Sequence, residues 1–201
     1  MLFLTNCAGC NAPGDTLCRR CRFALVSASV VVTDTGVHAA MPFDGVGRSI
    51  VHGLKFRNRR AVARQLAGLM ARRLVGSGAF DLVTWAPTSA ARVAERGFDQ
   101  AELLARAVAK ELGVPCRRLL YRTHGEPQSG RDRAERRRGP AFRGRPTRRP
   151  LRVLLVDDVV TTGATLDAAR ASLLAAGVAE VRCIAAAATP APGRPELRLV
   201  S

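Results

Sequence analysis

The sequence predicts an α/β chain in which a parallel sheet carries helices on its faces, preceded by a small module built around four cysteines. Three observations lead there. Apolar runs of strand length at 80–86, 153–156 and 181–186 alternate with stretches of helical periodicity, the order that produces parallel pairing through right-handed crossovers. With 201 residues, 47% of them hydrophobic, the chain can bury one good-sized core with a small appendage beside it. Cys7, Cys10, Cys18 and Cys21 form two CxxC pairs close to the start.

Taken in order, residues 1–28 form the cysteine module and residues 29–201 the α/β domain. Pro13, Gly14 and Asp15 turn the chain between the two CxxC pairs, so four thiolates can surround one tetrahedral Zn²⁺ as a closed structural site. Paired disulfides would need an oxidising compartment, for which nothing in the chain argues. Residues 30–32 and 39–43 flank a turn-like 33–36 and suit a hairpin. Ile50, Leu54, Val62, Leu66, Leu69 and Met70 recur at helical spacing across 46–74, interrupted by a basic corner at 57–60, which predicts two helices. Residues 80–86, ended by Pro87, read as a strand buried on both faces. Asp99 can cap the next helix with Glu102 as in a capping box, Leu103, Leu104, Ala107 and Val108 make its apolar face, and Gly113 stops it. A strand is expected over 114–120, another over 153–156, a helix over 165–176 closed by Gly177, and a last strand over 181–186 before an irregular tail from 189.

The formal charge of +16 and a pI near 11.4 favour an anionic partner: nucleic acid, an anionic surface or a phosphorylated small molecule. Only Lys55 and Lys110 are lysines, so location has to carry the argument. The bridge 117–152 holds thirteen arginines against Glu126, Asp132 and Glu135, which reads as an exposed, anion-facing segment, although a solvated linker would account for the same residues. No apolar run approaches the roughly 20 residues of a membrane span, and MLFLTNCAGC lacks the basic region of a signal peptide. The chain therefore reads as soluble and cytoplasmic.

The chemistry concentrates in "VLLVDDVVTTGATL", residues 153–166. In open parallel sheets ligands bind beyond the carboxyl ends of the strands, where Asp157 and Asp158 are expected to fall. Thr161, Thr162, Gly163, Ala164 and Thr165 then lead into a helix, offering hydroxyls and backbone amides at the positive end of its dipole. Such a turn is shaped for a phosphate, and Gly163 lets the backbone approach without a clashing Cβ. Two carboxylates repel a phosphate but accept hydrogen bonds from the hydroxyls of a sugar attached to it. Together they describe a ribose 5-phosphate site. An apolar strand ending in Asp-Asp is also similar to the Mg-binding strand of a nucleotide triphosphatase, but the absence of G-x-x-x-x-G-K-[ST] argues against that reading.

These residues resemble a known family. The quoted segment is similar to the phosphoribosyl-pyrophosphate motif of type I phosphoribosyltransferases, in the form found in the ComF family of competence-associated proteins. "VHGLKFRNRRAVA", "ERGFDQAELLA" and "PQSGRDRAERRR" are similar to the same family, as is the four-cysteine start. The resemblance implies a phosphoribosyltransferase-like domain in which Asp157 and Asp158 contact the ribose hydroxyls, residues 161–165 cradle the 5′-phosphate, and Mg²⁺ travels with the pyrophosphate. It also implies a pyrophosphate loop after the first core strand, where Thr88, Ser89, Arg92 and Arg96 are the candidates. There "APTSAARVAERGF" replaces the Pro-Leu-His type of run that ComF-like sequences carry. A lid is implied over 123–138, with Gln128, Ser129 and Gly130 as its polar centre.

Two functions follow. One is an enzyme that binds phosphoribosyl pyrophosphate and transfers the sugar phosphate to an acceptor that no motif identifies. The other is a non-catalytic adaptor of DNA uptake that binds single-stranded DNA or partner proteins. The arginine-rich bridge favours the second, but one Trp, one Tyr and seven Phe leave few rings to stack bases on. By resemblance alone, the protein partners would be a DNA-uptake ATPase and a DNA-processing protein.

Overall fold

Two nine-residue strands, β6 (Arg152–Val160) and β7 (Glu180–Ala188), pair in parallel at the centre of the sheet. The computed structural model describes residues 6–33, 36–56, 59–123 and 140–189. Beside β7 lies β2 (His38–Pro42), also parallel, and beyond it β1 (Val31–Val32), antiparallel to β2 as the hairpin reading expects. On the other side β6 pairs in parallel with β3 (Leu82–Trp85), giving the order β1-β2-β7-β6-β3. Of the expected lid, residues 124–138, including Gln128, Ser129 and Gly130, fall outside the described residues, as do His124, two residues of the basic corner at 57–58, and the tail from 190.

Alternation along the central strands divides the core into two layers. Leu154 and Val156, with Val83 and Trp85, face one side, where they meet α2 (Gly45–Phe56), α3 (Arg59–Arg72) and α5 (Gln100–Leu112) through Ile50, Leu66, Met70, Leu104 and Val108. Val153 and Leu155, with Leu82, face the other, where α6 (Ala164–Ala175) contributes Leu166, Ala169 and Leu173. Both faces are covered, which is why 153–156 is an unbroken apolar run.

Two elements differ from expectation. The predicted strand over 114–120 makes a single parallel bridge, Cys116 to Val83, before leaving the sheet. Buried Thr84 explains the departure: its Oγ1 takes the Leu119 amide at 3.2 Å, in place of a carbonyl that would extend the ladder. The chain then forms β4 (Leu120–Thr123), antiparallel to β5 (Ala141–Gly144) in a separate ribbon. That ribbon docks on α6, where Ser172 Oγ donates to the Phe142 carbonyl at 3.0 Å. The second difference is α4 (Ala90–Arg96), a short helix inside the predicted pyrophosphate loop.

The cysteine segment is continuous with the first layer. Cys7, Leu17 and Cys21, with Leu25 from α1 (Arg19–Val26), are buried in the same cluster as Ile50 and Leu54. Contact with α2 is tightest at Gly53, where an added Cβ would lie 2.5 Å from the Ala8 Cβ and 3.0 Å from its Cα. Such overpacking against backbone typically costs about 1–3 kcal/mol. Gly53→Ala is therefore expected to lower Tm by several degrees and to speed titration of Cys10 and Cys18 by a thiol reagent. Unchanged Tm and thiol reactivity would show that the cysteine segment does not rest on α2.

Candidate functional site

The carboxyl ends of β3 and β6 open into one cleft of about 370 Å³. Asp157 and Asp158 line it, but from within β6 rather than beyond it, because β7 is equally long and pairs Asp157 with Ala185 and Val160 with Ala188. Strand geometry accordingly sets both carboxyls. Asp157 is buried at 8% exposure, and its Oδ1 accepts the Asp158 amide at 2.8 Å; Asp158 Oδ1 accepts the Val159 amide at the same distance. Burial first, then the Asp158 charge, hold the Asp157 carboxyl well above the usual carboxylate range.

Beyond β6 the turn enters α6 at Gly163, whose φ of 83° is left-handed and suits a residue without a Cβ. No side chain caps this helix; the Thr162 Oγ1 accepts the Ala164 amide at 3.4 Å. Thr161 and Thr165 line the cleft beside the two carboxylates, while Gly163 and Ala164 supply the helix start.

The opposite wall comes from the turn after β3 and from α4. Ala86 donates its amide to the Val156 carbonyl at 3.1 Å, aligning the ends of the two strands. Thr88 then donates its amide to Asp99 Oδ2 at 3.0 Å, while Asp99 Oδ1 accepts from Ala101 at 3.0 Å and Glu102 at 3.4 Å, capping α5. Asp99 thus ties the turn to the helix. Burial raises its pKa despite those three amides. The capping box closes on one side only, since Glu102 instead receives Arg106 at 2.9 and 2.7 Å.

Of the four predicted loop residues, Thr88, Arg92 and Arg96 line the cleft. Arg96 Nη1 donates to Gln100 Oε1 at 2.9 Å. Ser89 serves as the N-cap of α4, accepting the Arg92 amide at 3.4 Å. The motif Ser, then AARVAER, then Gly97 with its left-handed φ of 75° is a capped helix that was legible from capping preferences.

Sequence reasoning did not select Phe43, Asp99, Gln100 or Arg122 for the site, and all four line it. Arg122 matters most, because it brings a third guanidinium from β4. Burial lowers its pKa, as does Arg92 to a smaller degree, while Asp157 and Asp99 act in the opposite sense. Nothing local distinguishes it from the other arginines of the bridge.

The four N-terminal cysteines also converge. Their Sγ atoms all lie within 4.8 Å of one another, and Cys10 and Cys18 are 3.7 Å apart, against about 3.8 Å for thiolates on a tetrahedral Zn²⁺. Burial acts to raise the Cys7 thiol, but amides of Cys18, Cys10 and Gly9 outweigh it and bring it down to about 6. Cys21 moves upward through burial and its neighbouring thiols, a shift that a bound cation would oppose. His52, which lies well outside the cysteine loop in sequence, lines the hollow beside Cys7 and Cys10. Cys116 and Cys183 are remote thiols that burial pushes up to about 11 and about 12.

The raised Asp157 carboxyl has a thermodynamic consequence. A folded-state pKa above the unfolded value contributes stability that is complete below the unfolded pKa, about 3.9, and is lost as pH rises through the folded value. Asp157→Asn is expected to unfold with the parent near pH 4 and at a higher Tm by about pH 8, in paired melts across that range. A variant less stable than the parent at the upper end would contradict the electrostatic account.

The profile of the phosphoribosyl transferase domain matches residues 94–200. The DNA utilization proteins YhgH of Salmonella typhi and Salmonella typhimurium are each 35% identical to this chain over 144 residues, covering 66% of it and 63% of their own length. Among solved structures, the glutamine phosphoribosylpyrophosphate amidotransferase of B. subtilis, complexed with ADP and GMP, superposes with a TM-score of 0.50 at 18% identity, over 78% of this chain and 35% of that one. That likeness concerns the fold alone, and the profile takes in α5, β6, α6 and β7. With the match extending over more than half its length, the chain belongs to the phosphoribosyl transferase domain family, in agreement with the ComF-like resemblance of its sequence.

Proposed function

We propose that the cleft binds phosphoribosyl pyrophosphate with Mg²⁺, and that the protein uses it in the handling of DNA. The observation that carries this reading is the gathering of Asp157, Asp158, Thr161, Thr165, Thr88, Arg92 and Arg96 in a single cleft. In this reading the two carboxylates accept hydrogen bonds from the ribose hydroxyls. Thr161, Thr165 and the first amides of α6 hold the 5′-phosphate, with Thr162 and Ala164 shaping the turn. Arg92, Arg96 and Arg122 face the pyrophosphate, and guanidinium groups suit that task because they present several donors in one plane.

The donor set also fits Mg²⁺, a hard cation that takes carboxylate and phosphate oxygens and retains water. Bound with the ligand, it would neutralise charge on the pyrophosphate. Asp157 is compatible with the same reading from the protein side, since hydroxyl donors or a cation beside a buried carboxyl with a raised pKa favour its ionised form. Displacement of pyrophosphate at the anomeric carbon would then depend on positioning and on charge stabilisation by the arginines.

The DNA connection rests on the two Salmonella relatives, which carry the name DNA utilization protein, and on the ComF resemblance. A DNA-uptake ATPase and a DNA-processing protein are the protein partners that this reading includes. For the cysteine cluster we propose one structural Zn²⁺, supported by its four converging thiols.

Calorimetric titration with phosphoribosyl pyrophosphate and Mg²⁺ is expected to show binding that Asp157→Ala/Asp158→Ala weakens by about a hundredfold, two charge-assisted hydrogen bonds being worth about 3 kcal/mol or more together. Equal affinity in a double variant of parental thermal stability would refute the assignment. Elemental analysis is expected to find one zinc per chain, lost in Cys7→Ser and Cys21→Ser but retained in Cys116→Ser, with Tm falling on chelation. Zinc retained by Cys7→Ser would refute the four-thiolate site.

A further inference from the structure

We infer that the solvent face of the β4–β5 ribbon is a binding platform for single-stranded nucleic acid, with Tyr121 as its stacking ring and Arg118 and Arg143 as its cationic partners. The inference is independent of the ribose-phosphate cleft. Within β4, Leu120 is buried and Arg122 half-buried, whereas Tyr121 and Thr123 are exposed. Across the ribbon Arg143 pairs with Tyr121, and Phe142 pairs with Arg122 on the inner side. The chain's single tyrosine, 37% exposed, therefore stands on the outer face.

Two guanidinium groups flank that ring, Arg118 at 4.8 Å and Arg143 at 5.8 Å from its centroid. Arg117, Arg145, Arg148 and Arg149, in the segments that flank the ribbon, are also exposed, and neither 117–123 nor 140–149 contains an Asp or Glu. The few aromatic residues of the sequence argue against a stacking surface, but strand pairing places the one tyrosine where cations surround it.

Chemistry selects the ligand. Bases of a single strand stack on aromatic rings and on guanidinium planes while the phosphates meet arginine, so both groups on this face are used. A duplex hides its base faces and would use the charge alone. An anionic membrane favours apolar side chains that insert, and among the described residues of the two strands the outer face offers Tyr121 beside Thr123 and Ala141. The ribbon is also held in place, since an added Cβ at Gly144 would lie 2.7 Å from the Cβ of Ala176, the C-cap of α6.

Fluorescence anisotropy with a labelled thymidine homopolymer, using the full chain at low salt, tests this. Tyr121→Ala is expected to weaken binding about tenfold and Tyr121→Phe to leave it nearly unchanged, all variants keeping parental Tm. Arg118→Gln/Arg143→Gln should lower the slope of log affinity against log salt by about 1.4, at about 0.7 per phosphate contact on a single strand. Titration with phosphoribosyl pyrophosphate should be unaffected by Tyr121→Ala, so failure of the cleft assignment and failure of this one are separable. No binding at low salt, parental affinity of Tyr121→Ala, equal affinity for a duplex of the same length, or displacement by phosphatidylserine vesicles would each overturn the inference.

Discussion

The structure is organised around a carboxyl that a parallel strand carries into the protein interior. Asp157 is in ladder register with Ala185 of β7, so it cannot turn out to solvent without breaking the central pair of the sheet. Its burial disfavours the ionised form, and the adjacent Asp158 adds repulsion. A fold that needed only stability would place an apolar residue there. Two adjacent acids inside an otherwise apolar strand are a local inconsistency of the kind expected at functional sites, which makes the cleft they line the candidate.

The neighbouring elements accommodate that constraint. Asp99 makes the main link: one carboxylate caps α5 and also fixes the turn at Thr88, so the wall opposite β6 is set by the start of a helix. From that wall Arg92 and Arg96 face the cleft, and Arg122 reaches it from a ribbon outside the sheet. Acid from the sheet and base from the helices thus meet in a small volume, at the carboxyl edge where open α/β sheets bind ligands. The cleft joins three separate stretches of chain, at 86–101, at 122 and at 157–165, with Phe43 closing it from the end of β2.

The cysteine segment and the ribbon extend the same frame in opposite directions. The cysteines pack through Cys7, Leu17 and Cys21 against α2 on one face, and the ribbon packs on α6 on the other. Each presents polar chemistry outward from an anchored base. This arrangement lets the cleft of acids and arginines, the four-cysteine cluster and a cationic surface share one core.

Much of this was determined by the sequence alone, wherever the chemistry is local along the chain. An apolar strand, an acidic pair, a Thr-Gly turn and a helix follow one another over 153–175, so their convergence needs only one β-turn-α connection. CxxC spacing likewise brings each pair of thiols together within a few residues, and Asp99 caps the helix that begins beside it. Tertiary structure alone decided the rest. That Asp157 lies inside a strand depends on the length of β7, more than twenty residues downstream. Selection of Arg122 from thirteen arginines, the pairing of Tyr121 with Arg143 and the placing of His52 beside the cysteines depend on sheet order and helix docking. The physical reason is that periodicity and capping act over a few residues, whereas a cleft is made by segments that meet only when the whole core is buried.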